Sequence, residues 1–335
     1  MAPPTVGTAS RLKPVAWAVG LGVLAVGTAF LASVLAGALA GSTLPVLVGT
    51  SATRAIMDVA GVACVGVALA AVLVPISATG RSYRTTLVAT AIRSRIDRVL
   101  VGASGAWLLA IVIGTVFRTA DAFGRPPTAL GTTEFVLWVT RLGAGRGMVL
   151  TLGCAAVVLG CAIARMRDQA LVQIRIPLVA ALLGVLTPAV TGHAGSAADH
   201  ELAVVTVAMH VGAAALWVGG LGALVVLVAH QRELLLAALP TFSKLAAVCL
   251  VVVGLSGVLN ATVRLDSWAS LVTTGYGWLV VAKAVALVTV GGLGGLTRAR
   301  LHAGRTPVLR WAVYEIALMA VTLGLAAALT QTGTT

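Results

Sequence analysis

The sequence predicts an all-α fold: a polytopic transmembrane helix bundle of about nine spans. Three observations predict it. Hydrophobic residues make up 59% of the 335 and charged residues only 10%, whereas a soluble domain carries about a quarter charged residues to present a wetted surface. Mean hydropathy is +1.05. Nine charge-poor runs approach the roughly 20 residues that a helix needs to cross about 30 Å of hydrocarbon. The same figures exclude a soluble enzyme.

The runs are roughly 15–40, 56–77, 99–117, 147–164, 174–191, 202–229, 245–263, 277–296 and 308–329. A cytoplasmic tail, 1–14, precedes them. In the first, Arg11, Lys13 and the small-residue stretch Ala38-Leu39-Ala40 have the layout of a secretory signal. Its 26 residues favour a retained helix; cleavage would leave eight spans in the same orientation. The fourth and fifth runs are short, and the fifth carries Pro177 and Pro188 near its ends, so eight is also the alternative count.

Between the third and fourth runs lies the longest external loop, about 118–146, with Arg125-Pro126-Pro127 and then Glu134-Phe135-Val136-Leu137-Trp138-Val139. That apolar stretch is too short to span. Its tryptophan predicts that it lies along the outer membrane surface. In the eighth run, Gly291 and Gly295 allow close approach of helix backbones. No internal repeat or extramembrane domain is evident.

The net charge of +13 is explained by topology. A nucleic-acid-binding chain would cluster its basic residues with aromatics that stack on bases, and aromatics are only 4% here. Sorting Lys and Arg between alternate loops puts sixteen of the 23 on one side, six on the other, and Lys283 inside a span. Basic residues mark the cytoplasmic side. The N-terminus is therefore expected in the cytoplasm and the C-terminus outside. The four cysteines, Cys64, Cys154, Cys161 and Cys249, all lie in apolar runs without a CxxC pair and read as packing residues rather than disulfides or a zinc site.

Polar residues in or beside the spans are the functional candidates, because lipid burial of such groups is costly. His193, His200 and His210 gather on the external side around the start of the sixth run, while His230 and His302 fall at cytoplasmic ends. Imidazole suits copper and thioether sulfur suits Cu(I). Met209, Met57 and Asp58 fall on the same external side and are lower-ranked contributors; Met148 lies at the outer end of the fourth run. Helix neighbours point about 100° apart, so Met209 and His210 do not comfortably share one ion. Packing histidines are the competing reading. Lys283, Glu315 and Asn260 are the remaining intramembrane polar residues; an ion pair, interhelical hydrogen bonds and a transport role all stay open for them. Haem ranks below copper, since only His210 lies clearly within a span and no second axial ligand is evident.

The string Gly192-His193-Ala194, then His210-Val211-Gly212-Ala213-Ala214-Ala215-Leu216-Trp217-Val218-Gly219-Gly220-Leu221, resembles the copper resistance protein D (CopD) family. The resemblance continues through Phe242-Ser243-Lys244-Leu245-Ala246, Ser256-Gly257-Val258, Tyr276-Gly277, Lys283, Arg310 and Glu315. It divides the chain into an N-terminal transmembrane region, 15–187, and a CopD-like domain, 188–330. The first half is similar to longer relatives in which a CopD half precedes a cytochrome c oxidase assembly half.

The resemblance implies a multi-pass protein of the bacterial inner membrane that binds copper ion on the periplasmic side, through His193 and His210, and mediates copper uptake or resistance. His200 is carried by proximity alone. Copper and the lipid bilayer are the implied partners, with a periplasmic copper-binding protein or an oxidase assembly factor as possible protein partners. Neither an ATP-driven pump nor a hydrolase is indicated, since no CPC pair, phosphorylation motif or ATPase domain occurs; no enzymatic activity is expected. The alternatives are a non-transporting module that delivers or senses copper for oxidase assembly, and a haem-binding electron carrier.

Overall fold

The computed structural model describes residues 43–74, 83–191, 200–264 and 269–302, with separate positions among 20–32 and 317–322. Over these residues the chain is helical, without a strand. Six helices are long and apolar enough to cross a membrane. They and a shorter seventh correspond to the second through eighth apolar runs, whereas the first and ninth fall largely outside the described residues.

Helix α1 (Leu44–Leu73) starts with Pro45 in its first turn, where a missing N–H costs no helical hydrogen bond. At its other end Val74 N–H donates to the Ala70 carbonyl at 2.9 Å. Arg93 then donates to the leftover carbonyls of Ala71 and Val74, at 3.2 and 3.0 Å. A cation at a helix C-terminus meets both orphan acceptors and the negative end of the helix dipole.

Helix α2 (Tyr83–Ala122) has 40 residues, about 60 Å at helical rise and twice the hydrocarbon thickness. The charge-poor run 99–117 marks only the part of it suited to lipid, so Arg93, Arg95 and Arg98 extend the helix rather than occupy a loop. Its end is a glycine cap. Gly124 takes φ 60°, Gly124 N–H donates to Asp121 O at 3.2 Å, and Arg125 N–H donates to Ala120 O at 3.0 Å. That is the paired closure of a Schellman turn, which needs a left-handed residue and so favours glycine.

A 3-10 turn (Pro127–Ala129) leads to the short helix α3 (Thr132–Arg141). Glu134 accepts from Gly131 N–H at 2.6 Å, satisfying an orphan donor of the first turn, and from Arg125 Nη1 at 2.6 Å. The expected surface segment is thus a helix, but Trp138 is not its interfacial anchor. The indole is buried, and Phe135, Val136 and Leu137 are the exposed apolar residues. The tight turn into α4 (Gly143–Arg167) draws Trp138 inward, with Gly145 lying directly against the Trp138 carbonyl.

Helix α5 (Arg175–Thr191), with Pro188 inside it, is apolar but shorter than the six membrane-length helices. Helix α6 (His200–Ala214) continues unbroken through a π turn (Ala215–Gly219), one α turn (Gly220–Ala223) and a second π turn (Leu224–Val228). Helix α7 (Arg232–Arg264), the short α8 (Ser270–Thr273) and α9 (Gly275–His302) complete the described chain.

Close contacts give the packing directions. Gly49 meets Phe117, and Gly61 meets Trp107, so α1 and α2 are antiparallel. Gly66 meets Gly219, and Gly220 meets Leu69, so α1 and α6 run parallel with backbones touching. Neither glycine has room for a side chain. Helix α1 is the hub, packing on α2, α5 and α6, with Cys64, Val65 and Ala68 wholly enclosed. The periphery is apolar too: Leu109 and Val112 on α2, Leu150 and Val157 on α4, and Val179 and Leu183 on α5 are exposed. Apolar residues on the outside as well as the inside suit lipid as the surrounding solvent. All four cysteines are free, Cys64 and Cys249 being buried.

Candidate functional site

Several polar residues of the bundle line one cavity of about 1040 Å³, bounded mainly by α1, α2, α4, α5, α6, α7 and α9. Apolar side chains form most of its wall. A few polar groups converge on it, the usual chemistry of a ligand site.

His210 of α6 lines it and is bonded to Ser256 of α7. His210 Nδ1 and Ser256 Oγ lie 3.0 Å apart. Ser256 Oγ also donates to the Val252 carbonyl at 2.5 Å. A hydroxyl has one proton, and it is committed to that carbonyl. The network therefore assigns His210 Nδ1–H as the donor to Ser256 Oγ, and leaves the lone pair on Nε2. One neutral nitrogen held by a hydrogen bond, with the other free, is the state in which histidine binds a metal ion.

One turn away along the same seam, Thr206 Oγ1 donates to Asn260 Oδ1 at 3.2 Å. Both interactions join α6 to α7, and Asn260 also lines the cavity. Lys283 enters from α9. Met57 is buried on α1 and lines the cavity together with Met148 of α4 and Met319.

A second polar group lies on α1 and α2. Arg54 Nε donates to Asp58 Oδ2 at 2.9 Å, so this carboxylate already has a cation. Arg118 of α2 stands near that pair and Asp121, and its Nε is buried without a hydrogen-bond partner. The same holds for Thr50 Oγ1. Thr50, Arg54, Asp58 and Arg118 all line the cavity.

Other expected residues are placed differently. Met209 is 51% exposed and does not line the cavity, pointing about 100° away from His210. His200 begins α6. His193 and Glu315 lie outside the described residues, as does any pairing of Glu315 with Lys283. Among the described residues, no three His, Cys, Asp or Glu side chains come together as a metal cluster. A copper ion here would combine His210 with thioethers or with donors beyond the described residues.

Sequence reasoning treated Arg93, Arg118 and Arg165 only as topological charges, and the structure buries part of each. Asp97 of α2 and Arg165 of α4 pair at 2.9 Å. Gln169 Nε2 donates to the second Asp97 oxygen at 2.8 Å, and Arg165 Nη1 donates to the Val172 carbonyl at 2.7 Å. The available signal was Asp97 itself, one acid set among Arg93, Arg95 and Arg98.

A family model described as "Copper resistance protein D-like, N-terminal domain" matches residues 46–201, and one described as "Copper resistance protein D" matches residues 236–329. His210 falls between the two matched segments. The copper transport protein CutJ of Bacillus subtilis (strain 168) is 31% identical over 139 residues, which cover 38% of this chain and 26% of that protein. No solved structure matches.

Proposed function

Because the chain belongs to the copper resistance protein D family, we propose that it is a multi-pass transporter that takes copper from the external side of a bacterial inner membrane and passes it inward. His210 is the central contact, with His193 and His200 nearby in sequence and Met57 as a cavity-lining thioether. The observation that carries this reading is the His210 imidazole, held through Nδ1 by Ser256 at 3.0 Å, at the wall of a cavity reached by buried methionines. Sixteen of 23 basic residues assigned to one side of the membrane support the proposed orientation.

The experiment is copper accumulation by cells expressing the chain, set beside copper analysis of the purified protein. Expression should raise cellular copper, and His210→Ala should abolish the gain while the protein remains inserted. An unchanged gain in the variant refutes the assignment of His210. Bound copper without any cellular gain would instead favour the delivery or sensing module.

A further inference from the structure

The cavity's charge is opposite to what a bare metal cation needs. Among the described residues, Arg54, Arg118 and Lys283 line it against one carboxylate, that of Asp58, and Arg54 already holds that carboxylate at 2.9 Å. Asp121 is near Arg118 but does not line the cavity. In a medium of low dielectric such an excess of positive charge repels a cation far more strongly than in water. The volume of about 1040 Å³ also far exceeds one ion and matches a small organic molecule, whose sites run about 300–1,000 Å³.

Two atoms indicate what is missing. Arg118 Nε and Thr50 Oγ1 are buried without hydrogen-bond partners; Thr50 is only 6% exposed. Buried polar groups in folded proteins are normally satisfied, and an orphan guanidinium N–H calls for an acceptor. The antiparallel contacts of Gly49 with Phe117 and of Thr53 with Gly114 set Thr50 and Arg118 at one level of the α1–α2 pair. An oxyanion there would accept from both. Carboxylate is the planar acceptor that guanidinium matches best.

We infer that the copper species this cavity takes is an anionic chelate, copper held by a carboxylate-bearing small molecule, rather than the bare ion. The inference rests on the copper reading above and deepens it. A carboxylate oxygen of the chelate that is not bound to copper meets Arg118 and Thr50, its apolar parts contact the aliphatic wall, and the metal faces His210 Nε2. Lys283 offsets the remaining negative charge. No bond is broken and no electron moves; the chelate binds as a unit.

The test uses the full chain in lipid nanodiscs, dialysed to equilibrium against copper(II) nitrilotriacetate, an anionic chelate, or copper(II) bis-glycinate, a neutral one. The wild type should retain the anionic chelate at least about ten-fold more strongly, the scale of one charge-assisted hydrogen bond. Arg118→Gln should remove that preference. Thr50→Val, nearly isosteric, should weaken it and guards against misfolding of the arginine variant. Retention of the neutral chelate should be unchanged in both. Equal retention of the two chelates by the wild type overturns the inference, as does a preference that survives in both variants. If native mass spectrometry instead finds phosphatidylglycerol lost on Arg118→Gln, with no chelate preference in the wild type, the oxyanion is a lipid headgroup and the inference falls. His210→Ala separates the two readings. Copper retention that depends on His210 but not on chelate charge overturns only the present inference.

Discussion

Asp97 of α2 and Arg165 of α4 pair at 2.9 Å with side chains only 1% and 3% exposed, and Gln169 closes the second carboxylate oxygen at 2.8 Å. Breaking such a pair from one side leaves an uncompensated buried charge, at a cost of about 3–5 kcal/mol. Asp97→Ala should therefore lower the melting temperature of the purified protein markedly. Replacing both partners, as in Asp97→Leu with Arg165→Met, should recover most of the loss, because two apolar residues leave no charge behind. A single variant that melts with the wild type would show that water reaches the pair.

Helices of this bundle were legible as apolar runs because lipid burial selects composition directly. The run 202–229 and the helix that ends at Val228 nearly coincide. Helix α2 was underestimated at its Tyr83 end. Arginines leave a hydrophobic run but do not end a helix, being good helix formers. His210 was legible as an isolated polar residue in a charge-free stretch. Its partner Ser256, and the pairing of Asp97 with Arg165 across 68 positions, were not. Such contacts depend on which helices are neighbours, and no local periodicity encodes that.

Gly66 and Gly219 form a close crossing, where a side chain on either would collide with the backbone of the other helix. Backbones driven this near need small residues on both sides. Gly66→Val should separate α1 from α6 and leave little folded protein after detergent extraction, as read by size-exclusion chromatography. Gly102→Val is the matched control on α2, because nothing stands within 4 Å of a side chain there. Similar yields from the two variants would mean that this crossing is dispensable.

Met57 and Met209 separate thioether chemistry from packing. Met57 is buried at the cavity and Met209 is exposed away from it. Met→Leu conserves volume and usually costs less than about 1.5 kcal/mol, so a change in copper retention reports on the sulfur. Met57→Leu should lower Cu(I) retention several-fold, whereas Met209→Leu should leave it unchanged. The reverse order in a copper titration would place the metal on the other face of α6.

On the copper reading, Ser256 acts only through His210, since it does not itself line the cavity. Its proton is committed to the Val252 carbonyl at 2.5 Å, so its oxygen can only accept from Nδ1, which keeps the free lone pair on Nε2. Ser256→Ala removes that acceptor. His210 should then lose its fixed tautomer and ring orientation, and outer partners of this kind are worth about 10–100-fold in metal affinity. The expected result is a loss of that size in copper retention, with little change in folding because the serine belongs to one helix seam. Ser256→Thr keeps an oxygen able to bond the carbonyl one turn back, and should restore most of the affinity. A structural role alone would not predict rescue, since the added methyl group burdens the packing. If alanine and threonine weaken copper retention equally, the hydrogen bond does not set the histidine's state, and His210 must be oriented by another group.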